Sequence, residues 1–221
     1  MKTKNGFIIA ILGCAMLLSG CSKTYISVIS KSPEFNLSSG DLKTAIVVGV
    51  DGLSLNEFTK TFNKKYRQNR DFIDEYINLV TNKLQMGKLF TQVKCDNSRQ
   101  WGLMKSFAGM KEDYKIVDSL FTNCSSDYII NVSNFEISNR IQSFTSYGGP
   151  NMSMSSSSTE FCVINAQFQV IDQKTRKSIL EFKSTGEGSV ILFAFEAAFK
   201  NAVANSIDHA VAYLKTGKIT F

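Results

Sequence analysis

Apolar positions along this chain recur at two spacings, two residues and three-to-four residues, and their succession predicts the elements. AIVVGV, Ala45 to Val50, is a short apolar, β-branched run closed by Asp51-Gly52, which reads as a buried strand followed by a turn. In DFIDEYINLVTNKLQMG the positions Phe72, Tyr76, Leu79, Val80, Lys83 and Leu84 return at steps of three and four. Asp71 suits the start and Gly87 the stop, so the segment is an amphipathic helix. KLFTQVKC reads as the next strand. Between residues 97 and 126, Met104, Phe107 and Ala108, then Ile116, Val117, Leu120 and Phe121, suit one helix or two short ones interrupted at Gly102 and Gly109.

Strand character returns at Tyr128 to Ile137. The stretch that follows carries Ser153, Ser155, Ser156, Ser157 and Ser158 and cannot bury much, which predicts an exposed, mobile hairpin connection over residues 138 to 159. In Phe161 to Ile171, Cys162, Ile164, Ala166, Phe168 and Val170 alternate with a second set, a strand with one buried face. A polar turn, Asp172 to Lys177, leads into SILEFKSTG, which pairs back antiparallel. The last element is a long helix with Leu192, Phe195, Phe199, Ala202, Val203, Ser206, Ala210 and Leu214 on one face and Gly217 beyond its end. That face is expected to pack on the sheet.

Composition agrees with a packed domain: 43% hydrophobic residues, 17 Phe and only two Pro describe a chain able to fill a core. The elements predict one α/β (α+β) domain over residues 43–217, a mixed sheet of about five strands with an antiparallel hairpin and helices packed upon it. Residues 21–42 lack any period and read as a flexible tether.

The first twenty residues belong to another category. Lys2 and Lys4 precede an apolar stretch from Phe7 to Leu18, 12 residues long, broken only by Gly13. As a helix it reaches about 18 Å, short of the roughly 30 Å hydrocarbon core, so it reads as a cleaved export signal over residues 1–20. Leu18-Ser19-Gly20-Cys21 resembles the lipobox of bacterial lipoproteins. The resemblance implies cleavage before Cys21 and acylation of that cysteine, an anchor that needs no spanning helix. Ser22, where Asp would retain such a protein at the inner membrane, implies the periplasmic face of the outer membrane. Loss of the signal removes two lysines and no acid, leaving 23 Lys+Arg against 19 Asp+Glu. So mild an excess, on an exported chain, argues against nucleic acid as a partner. The basic run KTFNKKYRQNR, with Lys60, Lys64, Lys65, Arg67 and Arg70, is expected as a solvated face, with anionic headgroups or an acidic partner as the alternative.

Three cysteines stay in the folded part. Cys95 and Cys124 both fall at strand margins in an oxidising compartment, where a disulfide between them is possible. Cys162 shares the phase of the buried positions and reads as a small hydrophobe. With no CxxC pair and His209 as the only histidine, no metal or cofactor is expected. Hydrolase and phosphate-binding signatures are absent, His209 has no nucleophile suggested beside it, and Asp74 and Glu75 read as solvated helix charges. Glycines 186 and 188 form no diagnostic motif. No enzyme is expected.

The phrases IVVGVDG, FIDEYINLVTNKLQMGKLFTQV, SDYIINVSNFEIS, FQVIDQKTRKSILEF and EAAFKNAVANSIDHAVAYL, spanning residues 45 to 214 in that order, resemble a loose group of envelope proteins. It comprises the outer-membrane activators of penicillin-binding proteins, the curli-secretion lipoproteins and the amino-terminal domain of the Tol translocation protein. The resemblance implies an accessory factor or scaffold with an envelope protein as partner. Auxiliary lipoproteins of ABC-type transport systems are the alternative, an envelope enzyme the weaker one. Curli-type pores need two long membrane hairpins per subunit, whereas only one long connection is present here, which argues against a pore. Contacts are expected from the 138–159 connection and exposed strand edges.

Overall fold

The computed structural model describes residues 24–33, 43–102, 114–146 and 155–218. Their elements are β1 (Ile26–Lys31), β2 (Thr44–Gly49), β3 (Leu53–Leu55), α1 (Thr59–Lys65), α2 (Asn69–Met86), β4 (Gln92–Asp96), a 3-10 turn (Arg99–Gly102), α3 (Tyr114–Asn123), β5 (Tyr128–Ser146), β6 (Ser155–Asp172), β7 (Lys177–Ser189) and α4 (Phe195–Thr216). The strands form one mixed, seven-stranded sheet in the order β1-β7-β6-β5-β2-β4, with β3 alongside β5. β2 lies parallel to both β4 and β5, and β5, β6, β7 and β1 follow one another antiparallel. Parallel neighbours need crossover connections, which α1 and α2 supply on one face and α3 on the other. The expected mixed α+β domain is therefore what the chain forms, with two strands more than the five expected.

The face carrying α2 and α4 holds the main core. α2 buries Phe72, Tyr76, Val80 and Leu84, as the spacing predicts, together with Ile73 and Ile77, whereas Leu79 and Lys83, expected on the same face, are exposed. Its start is fixed by a capping box in which Gln68 and Asp71 exchange hydrogen bonds with each other's backbone. These contacts hold the Asp71 carboxyl below its usual range, the Gln68 side chain contributing most. At the centre Phe72 meets Phe62, Tyr66, Tyr76, Phe135 and Phe199, with ring centroids 5.4 to 6.1 Å apart. Tyr76, fully enclosed, keeps its hydroxyl satisfied against Ser206 Oγ at 2.8 Å, and burial raises its pKa.

α4 crosses β7 very closely, and here the glycine pair finds its role. A Cβ on Gly186 would stand 2.1 Å from the Ala202 carbonyl oxygen, and one on Gly188 would stand 2.0 Å from that of Ala198. Only glycine lets helix backbone and strand backbone approach so far. The opposite face has a smaller core, where Val48, Ile129 and Ile171 meet Trp101, Val117, Leu120 and Phe121.

Several sequence expectations change. Residues 26–31, read as tether, form the edge strand β1: Ile26 is buried against β7 while the rest of the strand stays exposed. One buried side chain, with the apolar Val28 and Ile29 exposed beyond it, leaves no consistent alternation to read. The 138–159 connection is ordered strand over its described part, since the β5–β6 ladder continues to the pair Ser146↔Ser155. Backbone pairing carries it there, so the serines need bury nothing. A bulge at Asn134 (φ 50°) shifts the phase of β5 between Ser133 and Glu136, turning Phe135 and Ile137 into the main core. Leu192, expected on the buried face of the last helix, lies before it, 92% exposed. Phe199, Ala202, Val203, Ser206, Ala210 and Leu214 are buried as expected, and Gly217 closes the helix in the left-handed region at φ 62°. Met104, Phe107, Ala108 and Gly109 fall outside the described residues.

Candidate functional site

Cys95 and Cys124, between which the sequence allows a disulfide, are both free thiols. The reason is geometric. Cys95 sits on β4 with its side chain packed on the main core, while Cys124 follows α3 and packs with the smaller core across the sheet. Alternation along a strand puts neighbours on opposite faces, a feature that strand margins alone do not reveal. Burial pushes the Cys95 thiol up, more than the hydrogen bond from Thr81 lowers it, and burial pushes Cys162 up to about 12. Neither has the character of a nucleophile. Cys21 lies outside the described residues.

Other candidate groups have structural partners. Arg70 belongs to no solvated cluster. Its guanidinium donates to the Gly49 carbonyl at 3.0 Å and the Asn97 carbonyl at 3.1 Å, and pairs with Asp74 at 2.8 Å, closing the carboxyl ends of β2 and β4. Asp74 is thereby half of a clamp, and Glu75 pairs with Lys65. His209 stacks on Tyr25 with centroids 4.5 Å apart, and its Nδ1–H donates to the Thr185 carbonyl at 2.8 Å, so the ring joins α4 to β7 by a hydrogen bond and to the residue before β1 by stacking. Among the described residues, no group of three or more His, Cys, Asp or Glu is placed to hold a metal ion, and no helix is long and apolar enough to cross a membrane.

Two surfaces remain as candidates for recognition. The first is the face of β5, β6 and β7 that α3 leaves uncovered, a half-buried ladder of polar side chains linked to one another. Thr185 donates to Asn165 Oδ1 at 2.7 Å, Asn165 donates to Glu136 at 3.1 Å, Lys183 approaches Glu136 at 3.5 Å, and Gln167 bonds Glu181. Where the hairpin leaves the sheet, Arg140 makes a two-pronged pair with Glu187 at 2.8 and 2.9 Å and lies 4.3 Å from the centroid of Phe161. Glu187 raises the Arg140 pKa, fixing its charge. Beyond Arg140 the hairpin leaves β7 behind, since Phe161 pairs with Ser189, the last residue of that strand. Ile141 and Phe144 are exposed on this projecting part. Such a face offers hydrogen-bond donors and acceptors in register, and the hairpin offers apolar anchors.

The second is a groove of about 560 Å³ between α1, α2 and α4. Its floor is apolar, from Leu79, Phe199, Val203 and Ile207, and its rim carries lysines. Three of these are paired: Lys64 with Glu196 at 3.0 Å, Lys65 with Glu75 at 2.5 Å, and Lys83 with Asp208 at 2.8 Å. Exposed pairs of this kind contribute little and give way easily.

No family model and no curated protein matches the chain. Solved structures do, at low identity. The PelC dodecamer from Paraburkholderia phytofirmans is 11% identical, with a TM-score of 0.43 over 89% of this chain and 100% of the other. Lipoprotein GNA1162 from Neisseria meningitidis is 12% identical, with a TM-score of 0.32 over 75% and 98%. The LpoB C-terminal domain from Salmonella enterica is 14% identical, with a TM-score of 0.31 over 72% and 87%. Likeness at this distance concerns the path of the chain, and function has to be argued from this protein's own residues.

Proposed function

We propose that this chain is a lipid-anchored accessory protein of the bacterial envelope, held through acylated Cys21 at the periplasmic face of the outer membrane. There it acts as a non-catalytic scaffold that binds another envelope protein in assembly, secretion or cell-wall synthesis. The observation that carries the binding role is the projecting β5–β6 hairpin, whose ladder runs well past β7 and ends in exposed apolar side chains above an uncovered polar sheet face. A hairpin that only closed a connection would need no such extension. The lipobox supplies the address. The paired lysines, clamped Arg70 and strand-holding His209 all have structural partners, which favours binding over chemistry.

The test is photo-crosslinking in cells from positions 142 and 144, with adducts read by mass spectrometry, and the same from position 174 at the far end of the sheet as a control. A protein captured from the hairpin alone is the expected result. If a hairpin shortened at residues 141–159 keeps every adduct and phenotype, the partner site lies elsewhere. Turnover of a cell-wall or lipid substrate by the purified protein would overturn the scaffold.

A further inference from the structure

Exposed apolar side chains are not spread evenly over this molecule. Among the described residues ten large ones are exposed, and six of them, Ile141, Phe144, Ile191, Leu192, Phe193 and Phe195, gather at one end of the sheet. The densest group is the connection from β7 to α4, where Leu192 is 92% and Phe193 86% exposed. Two bulky residues in water at the tip of a connection are the opposite of what burial would select.

Their conformation is fixed. Leu192 and Phe193 both occupy the left-handed region, at φ 49° and 63°, which side chains with a Cβ rarely adopt. The strained turn is held by the Ala194 N–H donating to the Ile191 carbonyl at 2.9 Å and the Phe195 N–H donating to the Phe193 carbonyl at 2.9 Å. The Val190 N–H donates to the Glu160 carbonyl at 2.8 Å and ties its base to β6. Strain that the surroundings maintain at an exposed apolar turn points to a use for the turn.

Two observations say what covers it. The first is where the chain enters. The Thr185 N–H donates to the Tyr25 carbonyl at 2.8 Å, and β1 runs antiparallel to β7, so the start of β1 is the part of that strand nearest Ser189 and the exposed turn. Cys21 precedes Tyr25 by four residues, a reach of at most about 14 Å, so an acyl anchor there lies close to the start of β1 and within reach of this end. The second is charge. α1 stands beside the turn, with the rings of Phe58 and Phe195 5.8 Å apart, and exposes Lys60, Lys64 and Lys65, the last two in exposed pairs with Glu196 and Glu75; Arg67 lies just beyond and Glu57 just before.

We infer that this end of the domain rests on the lipid surface that bears its anchor. Leu192 and Phe193 enter the boundary between headgroups and acyl chains, and the lysines of α1 lie over anionic headgroups. The inference rests on acylated Cys21, and it replaces a domain held clear of the membrane on a long tether by one seated against it. The hairpin projects from the same end and in the same direction, so a protein bound there is met at the membrane surface.

The native chain has a single tryptophan, Trp101, buried in the smaller core, so Phe193→Trp adds a reporter at the turn. Full-length protein purified from membranes and carrying Phe193→Trp would be reconstituted into vesicles of phosphatidylethanolamine and phosphatidylglycerol containing a brominated phosphatidylcholine. The new emission should fall about twofold and shift to the blue, while Lys174→Trp at the opposite end and Trp101 in the native chain stay unquenched. If the protein sediments with vesicles and the Phe193→Trp emission is unquenched, the seated orientation is wrong and the anchor stands. Should that emission then be shielded from aqueous acrylamide, protein covers the turn, a second copy or another chain, and the lipid inference is overturned. If the native protein does not sediment with vesicles at all, the acyl anchor fails and the inference falls with it.

Discussion

The two faces of the sheet are built from the same strands and end in different states. On the face under α2 and α4, β6 contributes Ile164, Ala166, Phe168 and Val170, all fully buried, and α4 settles on Gly186 and Gly188 with backbone nearly in contact. On the reverse, Asn165, Gln167, Lys183 and Thr185 stay half-buried, Thr185 bonding Asn165 while Asn165 and Lys183 meet Glu136 and Gln167 bonds Glu181, and α3 covers only the β2–β5 side. Period-2 alternation thus gives one strand set two functions. One face supplies most of the apolar burial that stabilises the fold, and the other keeps a polar surface beside its smaller core. Hydrogen bonds exchanged between side chains near water contribute little to stability, because water competes for the same groups. Such a face can be remodelled for recognition at small cost.

The sharpest way to break this contrast is Phe72→Ala. It opens a cavity where five other rings meet and should destabilise the domain by about 4 kcal/mol in chemical denaturation. Next comes Gly186→Val. Its side chain would have to displace α4 backbone atoms 2.1 and 2.2 Å away, with an expected loss of about 3 kcal/mol or more and earlier unfolding of the terminal helix in hydrogen exchange. A loss below about 1 kcal/mol would mean that α4 does not press closely on β7.

A smaller effect belongs to neither face. The Asp127 carboxylate accepts the Thr44 N–H at 2.8 Å and the Thr44 hydroxyl at 3.0 Å, joining the starts of β5 and β2. The Thr44 N–H does most to hold its pKa below the ordinary value; burial opposes it, and the Thr44 hydroxyl and the charges of Lys174 and Lys43 add to the lowering. A depressed folded-state pKa contributes stability that is present above the unfolded value of about 3.9 and is lost as pH falls through the folded one. Asp127→Asn should therefore cost about 1 kcal/mol at neutral pH and almost nothing in strong acid, which thermal unfolding across that range would read. The smallest expected change is on the open face. Asn165→Ala should shift stability by no more than about 0.5 kcal/mol while reducing the yield of hairpin-directed crosslinks. If it instead unfolds the protein, the polar ladder belongs to the core and the contrast between the faces fails.

Much of the helical face is legible in the sequence. Phe72, Tyr76, Val80 and Leu84, and Phe199, Ala202, Val203, Ser206, Ala210 and Leu214, are buried where their spacing puts them, because a helix packed on a sheet must repeat its apolar positions every three or four residues. The recognition surfaces are less so. The hairpin has its expected position but reads in sequence as a mobile connection, since backbone pairing between polar strands leaves no hydrophobic rhythm. β1 gives no signal because Ile26 is its only buried residue, and β3 gives none because three residues are too few to show a period. The apolar turn reads as part of α4. Leu192 and Phe193 continue the Phe-rich run of that helix in sequence, and only backbone angles separate them from it.

By itself, the sequence determined the order of the main strands and helices and most of the positions that α2, α4 and β6 turn inward. These depend on local spacing and on residue chemistry, which a linear string records in full. Tertiary structure alone decided which distant residues share a side of the sheet. It placed Cys95 and Cys124 on opposite faces, set Gly186 against Ala202, and brought the chain entry, α1 and the Leu192-Phe193 turn to one end. Strand order and register fix those neighbours, and they arise from the packing of the whole chain, which no window of the sequence contains.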